Sequence, residues 1–215
     1  MSAAVEHQAV GGNRKAGVFA YWPNRITAIR FLGALALFGL LAWPELAQPT
    51  PPRTPLLVAF WLFVIVAATD VLDGWLARRG NHVTAFGRIA DPFVDKVLVV
   101  GALVFLAVLP WSNSFLPAWV VVAVVAREFL VTGIRGYVES QGAQFPADRF
   151  GKLKMAVQCV AVGALLARLA FHWPVALVGP LEVLIHVTVW TTLVTTVGSG
   201  MTYVLKVRQL LAAQP

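Results

Sequence analysis

The chain has 215 residues, 59% of them hydrophobic and only 13% charged, and its mean hydropathy of +0.75 excludes an ordinary soluble domain. The net charge of +7 comes from basic residues gathered in alternate connections between apolar stretches, so membrane orientation explains it and nucleic acid is not implied. The single cysteine, Cys159, excludes an intrachain disulfide and reads as a small buried hydrophobe.

Residues 1–20 are polar and aperiodic, a loose tail. Trp22-Pro23-Asn24 then opens the first of six apolar stretches, each near the twenty residues that a bilayer-crossing helix needs. We place them at 24–43, 55–76, 92–110, 116–136, 153–171 and 177–204. Phe31–Trp43, with basic residues before it, has some signal-peptide character, but five further spans follow. Pro44 and the prolines of 49–55 mark the first outer connection, Pro110-Trp111-Ser112-Asn113 the second, and Ser140–Pro146 the longest inner break. Trp22, Trp43, Trp111 and Trp173 fall at span ends, as an interfacial aromatic belt would have them.

Basic residues sit before span one (Arg14, Lys15, Arg25), between spans two and three (Arg78, Arg79, Arg88), around the connection of spans four and five (Arg127, Arg135, Arg149, Lys152, Lys154), and after span six (Lys206, Arg208). The alternate connections carry only Arg53 and Arg168. The positive-inside rule therefore predicts an all-α polytopic membrane protein, six helices in one bundle, with both termini cytoplasmic. The division is a tail over 1–20, a membrane domain over 21–208 and a C-terminal tail over 209–215.

Acids are scarce, yet Asp70, Asp73, Asp91 and Asp95 crowd where the second apolar stretch ends and the third begins. A carboxylate near the hydrocarbon costs about 2.5–3.5 kcal/mol on insertion scales, so such residues read as functional. Asp70, Asp73, Gly74 and Ala77 follow i, i+3, i+4, i+7, one helical face with two small residues on it. Gly87, Asp91 and Asp95 follow i, i+4, i+8, a second stripe on the next helix. Pro92 also offers a helix start, with Asp91 as the N-cap, although a cap would account for Asp91 alone. Carboxylates without His or Cys nearby favour a hard cation, Mg²⁺ or Mn²⁺, and two pairs suit two ions clamping a phosphoryl group.

The pattern Asp70-x2-Asp73-Gly74-x2-Ala77-Arg78-x8-Gly87-x3-Asp91-x3-Asp95 resembles the signature of the CDP-alcohol phosphotransferases at all eight fixed positions. The resemblance implies six membrane helices and a metal-dependent enzyme in which an alcohol hydroxyl attacks the β-phosphorus of a CDP-linked lipid and CMP leaves. It implies that Asp70, Asp73, Asp91 and Asp95 surround the metal, with Asp95 as general base. Asp73, Gly74, Ala77, Arg78, Gly87, Asn24 and Thr27 would border the CDP moiety. Spacing alone does not choose which aspartate is within reach of the attacking hydroxyl.

Flanking segments resemble the phosphatidylglycerophosphate synthase branch: Pro23-Asn24-x2-Thr27-x2-Arg30, then Arg127-Glu128-Phe129 with Thr132-Gly133-Ile134-Arg135, then Gly151-Lys152-Leu153-Lys154 with Gln158. Met155 departs from it, standing where that branch has Thr. The branch implies CDP-diacylglycerol and sn-glycerol 3-phosphate as substrates, a homodimer, and a bacterial-type cytoplasmic membrane with the active site facing the cytoplasm. Arg30, Arg127, Arg135 and Lys152 are the expected ligands of the acceptor phosphate. Arg127 and Arg135 lie about 80° apart on a helix and can border one cavity, whereas Lys152 and Lys154, if helical, lie about 200° apart, which favours one of them as ligand and the other as a cytoplasmic anchor. The positive-inside rule explains Lys154 and Arg149 without a ligand, and Glu128, pointing away from Arg127, is expected to do no more than form an ion pair. Rival readings are a sister enzyme using inositol phosphate, serine or another alcohol, and a cation or proton transporter with acids along its path.

Overall fold

The computed structural model describes residues 22–77, 85–141 and 149–212; within its helices, the side chains at positions 23, 70–77, 85–89, 149–150, 152 and 209–212 lie outside the described set. The loose tail of 1–20, Arg78, and most of the 140–146 break fall outside it as well. The described residues form six α-helices: α1 (Trp22–Leu41), α2 (Arg53–Ala77), α3 (Ala85–Val108), α4 (Ala118–Ser140), α5 (Arg149–Ala170) and α6 (Val175–Ala212), with a short 3-10 turn at Pro44–Ala47. No strand occurs among them.

The helices form a ring in the order α1, α2, α5, α6, α4, α3, closed by α3 against α1, with α3 also reaching across to α5. Windows in α1, α5 and α6 are long and apolar enough to cross a membrane, and α2 contributes a shorter apolar stretch, Arg53–Thr69. Large apolar side chains also cover the outside: on α6, Val183, Val187, Trp190, Val194, Val197 and Met201 are all about half exposed or more, in one helical stripe. Water would penalise such a surface and lipid would not, so this is the exterior of an integral membrane protein.

Each helix turns a different stripe inward. On α1 the buried positions are Asn24, Thr27, Arg30, Ala34, Leu37 and Leu41, polar toward one end and apolar toward the other. The apolar ends meet in a core that includes Leu37, Leu41, Leu46, Leu56, Leu103, Leu106, Leu165 and Leu166. Two glycines let helices close in. A Cβ on Gly33 would sit 2.6 Å from Val66 Cγ2 on α2, and one on Gly101 would run into the Phe38 ring, which stacks on Phe105 at 5.6 Å.

Two expectations are corrected. Helix α3 does not start at Asp91: it begins at Ala85 and carries Pro92 inside it, so Asp91 is no cap and lies in the second turn, on the continuous helix that the Gly87, Asp91, Asp95 spacing called for. The proline removes one hydrogen bond near the helix end, where tertiary contacts to α1 hold the strand of backbone in register. Trp111 is buried at 6% exposure, not part of a belt; its indole N–H donates to the Leu46 carbonyl at 2.9 Å and ties the two outer connections together. Ser112 Oγ donates to the Leu106 carbonyl at 2.6 Å, satisfying an acceptor that the end of α3 leaves open.

Candidate active site

The polar inner stripes all lie at one end of the ring: the start of α1, the start of α3, the end of α4, the start of α5 and the end of α6. The antiparallel run of α1 and α2, fixed at Gly33 and Val66, brings the end of α2 there too. Positions 70 and 73 follow Val66 by one and two turns on the same helical face. The backbones of Asp70, Asp73, Gly74 and Ala77 thus close α2 beside the entry to α1, and Gly87 lies in the first turn of α3.

Helix α3 separates two groups of side chains. Toward α1, Thr27 Oγ1 donates to Asp91 Oδ1 at 2.5 Å, and Arg30 forms a buried ion pair with Asp95. Asn24 is buried on the same α1 stripe. Arg30 was expected among the acceptor ligands; its guanidinium pairs with Asp95, where α1 packs closely on α3.

Toward α4, α5 and α6 the charge is reversed. Arg127 Nε donates to Ser199 Oγ at 2.9 Å, its Nη1 lies 3.1 Å from Glu128 Oε1, and its guanidinium sits 5.8 Å from the Tyr203 ring. Arg135 Nη2 donates to Tyr203 Oη at 2.9 Å. Lys154, buried at the start of α5, binds Glu128 Oε1. Lys96, next to Asp95 but turned the other way, donates to Thr132 Oγ1 at 2.8 Å and stands 3.5 Å from Glu128 Oε2. Arg127 and Arg135 thus both reach Tyr203.

Three side chains there went unread in the sequence, and two others are more deeply engaged than it suggested, Glu128 through the kind of ion pair foreseen for it. Lys154 is buried, and the Lys152 side chain lies outside the described residues. Glu128 is the carboxylate on which Lys96, Arg127 and Lys154 converge. Lys96, Ser199 and Tyr203 were missed, although α6 carries a signal for the last two. Thr188, Thr192, Thr196, Ser199 and Tyr203 recur at helical spacing and are all buried in an otherwise apolar helix. One turn deeper than Lys154, Gln158 Nε2 is buried with no hydrogen-bond partner among the described residues, as are the hydroxyls of Thr192 and Thr196. Such groups call for water or a polar ligand.

The donors fit a hard divalent cation. Asp91 and Asp95 offer oxygen only, each steadied by a donor from α1, and the expected partners Asp70 and Asp73 are oxygen donors at the same end. Among the described residues alone no group of three such side chains is complete, since the two from α2 are not in that set. A cavity of about 230 Å³ lies at the opposite end, lined by Arg53, Arg168, Phe171 and Trp173; Arg168 is occupied there by Glu182 at 2.7 Å.

The family model for CDP-alcohol phosphatidyltransferases matches residues 20–198. A Bacillus subtilis (strain 168) protein named CDP-diacylglycerol–glycerol-3-phosphate 3-phosphatidyltransferase is 35% identical over 189 residues, covering 84% of this chain and 92% of its own length. A Haemophilus influenzae protein of the same name is 31% identical over 132 residues, 60% of this chain and 70% of that one.

Proposed function

This chain belongs to the CDP-alcohol phosphatidyltransferase family and is a transferase, and from there we propose that it joins CDP-diacylglycerol to sn-glycerol 3-phosphate, releasing CMP and forming phosphatidylglycerophosphate. The observation that carries this reading is the division of charge across α3. Aspartates lie on the α1 side, as a metal-bound diphosphate requires, and cations lie on the α4–α6 side, as a phosphorylated acceptor requires.

In this reading the CDP moiety lies over the end of α2 and the start of α1, beside Asp73, Gly74, Ala77, Arg78, Gly87, Asn24 and Thr27. Asp70, Asp73, Asp91 and Asp95 would hold Mg²⁺ or Mn²⁺, which supplies charge neutralisation at the diphosphate. Arg127, Lys154 and Lys96 take the acceptor phosphate, with Lys154 in the role first expected of Lys152, and Arg135 borders it through Tyr203. Arg30 is reassigned to positioning Asp95. The acceptor hydroxyl attacks the β-phosphorus, a new P–O bond forms as the bond to CMP breaks, and the hydroxyl proton passes to Asp95. Adjacent Asp95 and Lys96 diverge by about 100° on α3, Asp95 toward α1 and Lys96 toward α4, so base and phosphate anchor flank the same turn of that helix.

We place all six helices across a bacterial-type cytoplasmic membrane with both termini and the active site on the cytoplasmic side, in a homodimer. The test is CMP release by the detergent-purified protein from CDP-diacylglycerol and Mg²⁺, with sn-glycerol 3-phosphate, inositol phosphate, serine or no acceptor. Release that requires sn-glycerol 3-phosphate is expected. Release only with another alcohol would move the chain to a sister activity, and no release with any acceptor from folded protein would reopen the transporter reading.

A further inference from the structure

One carboxylate, Glu128, meets three cations drawn from three helices. Its Oε1 takes Lys154 and Arg127, and its Oε2 faces Lys96. Two of the three cationic side chains are nine-tenths buried or more, and Glu128 itself is 13% exposed. An acid that only balanced charge would leave the cluster still in excess of positive charge by two. An acid placed where three donors converge occupies the position in which those donors would hold an oxyanion.

We propose that Glu128 is an exchangeable counter-ion, closing on Lys96, Arg127 and Lys154 in the empty enzyme and yielding them to the phosphate of the acceptor. This rests on the acceptor reading above and adds a role for the pocket's own acid. The phosphate of the acceptor is not consumed: it remains on the lipid product. A cluster with no internal anion would therefore hold the product as firmly as the substrate. Return of Glu128 to the three cations competes with the product's phosphate and lets the product leave. A phosphate dianion satisfies two or three cations that one carboxylate leaves undersatisfied, so substrate still enters. Neutral acceptors cannot displace Glu128, which gives the pocket selectivity against alcohols without phosphate.

The test is Glu128→Gln, which keeps shape and removes the charge. The inhibition constant for inorganic phosphate and the KM for sn-glycerol 3-phosphate should each fall about fivefold, the equivalent of one half-buried ion pair. The kcat should fall as well, because product release slows, while the KM for CDP-diacylglycerol stays within about twofold. Loss of a merely structural contact would weaken phosphate binding or leave it unchanged, and either result in folded protein overturns the proposal. Thermal stabilisation by inorganic phosphate, measured without CDP-diacylglycerol, gives a readout independent of turnover and should be larger in Glu128→Gln than in the parent. Stabilisation of the parent with no gain in the variant refutes the role of Glu128 alone; no stabilisation of either protein by phosphate or sn-glycerol 3-phosphate refutes the anion pocket itself.

Discussion

Replacing Lys154 by Met tests the pocket at its most buried cation. Methionine keeps the length and packing of the stem while removing the charge. Glu128 retains Arg127 at 3.1 Å and Lys96 at 3.5 Å, so no carboxylate is stranded and the fold should survive. What is lost is a charge-assisted bond to the acceptor phosphate, worth about 1.5–3 kcal/mol. At 1.36 kcal/mol per decade this is about a 10- to 150-fold loss in kcat/KM for sn-glycerol 3-phosphate. Because Lys154 is only 4% exposed, little water can stand in for it and the loss should fall in the upper part of that range. Initial rates of CMP release are measured against sn-glycerol 3-phosphate at saturating CDP-diacylglycerol, with Lys152→Met in parallel. That companion should stay within about threefold, since its position lies roughly 200° around α5 from Lys154. A loss below threefold for Lys154→Met, or a larger loss for Lys152→Met, would refute the assignment of the two lysines.

Asp95→Asn should lower CMP release at least about 100-fold by removing the proton acceptor. It should also lower the melting temperature, because Arg30, 3% exposed, loses its carboxylate; adding Arg30→Gln should restore melting but not activity, and recovery of activity would exclude Asp95 as the base. Gly101→Ala should cost about 1–3 kcal/mol in a denaturation curve by driving a methyl into the Phe38 ring, with Phe38→Leu relieving it; an unchanged curve would mean that α1 and α3 separate easily. Chelation by EDTA should abolish CMP release and added Mg²⁺ or Mn²⁺ should restore it; release that survives full chelation would remove the metal from the proposed chemistry.

The helices were legible because a lipid-facing surface demands long apolar runs, and the predicted spans overlap all six. Where the bounds differ, the causes are specific. Hydropathy locates the edge of the hydrocarbon and not the end of the helix, so α4 and α6 run on to Ser140 and Ala212 through polar residues that the apolar count ends before. The start of α3 was obscured by Pro92, whose local signature is the same at a first turn and inside a helix. In the site, the aspartates announced themselves by their cost. Glu128 did not, because neighbours on a helix diverge by about 100° and only the reach of two long side chains brings Arg127 Nη1 to its carboxylate. Nor did Lys154, whose basic neighbours at a membrane edge share one trivial explanation; packing of α5 against α3 and α6 buries it. The hydroxyls of α6 were readable as a periodic stripe and were passed over among the apolar residues that outnumber them.

Helix α6 is longer than a bilayer's hydrocarbon is thick. From Val175, Ser199 lies about 36 Å along its axis and Tyr203 about 42 Å, against roughly 30 Å of hydrocarbon. With the helices across the membrane as proposed and Val175 at the far edge of the hydrocarbon, Ser199, which steadies Arg127, would stand at headgroup depth and Tyr203, which steadies Arg135, just beyond it. Two reactants of opposite solubility can then meet there without a crossing by either: the nucleotide-linked lipid keeps its acyl chains in the leaflet, and the sugar phosphate arrives from water. At that depth CMP would leave into water while the new lipid stayed in the plane where it was made.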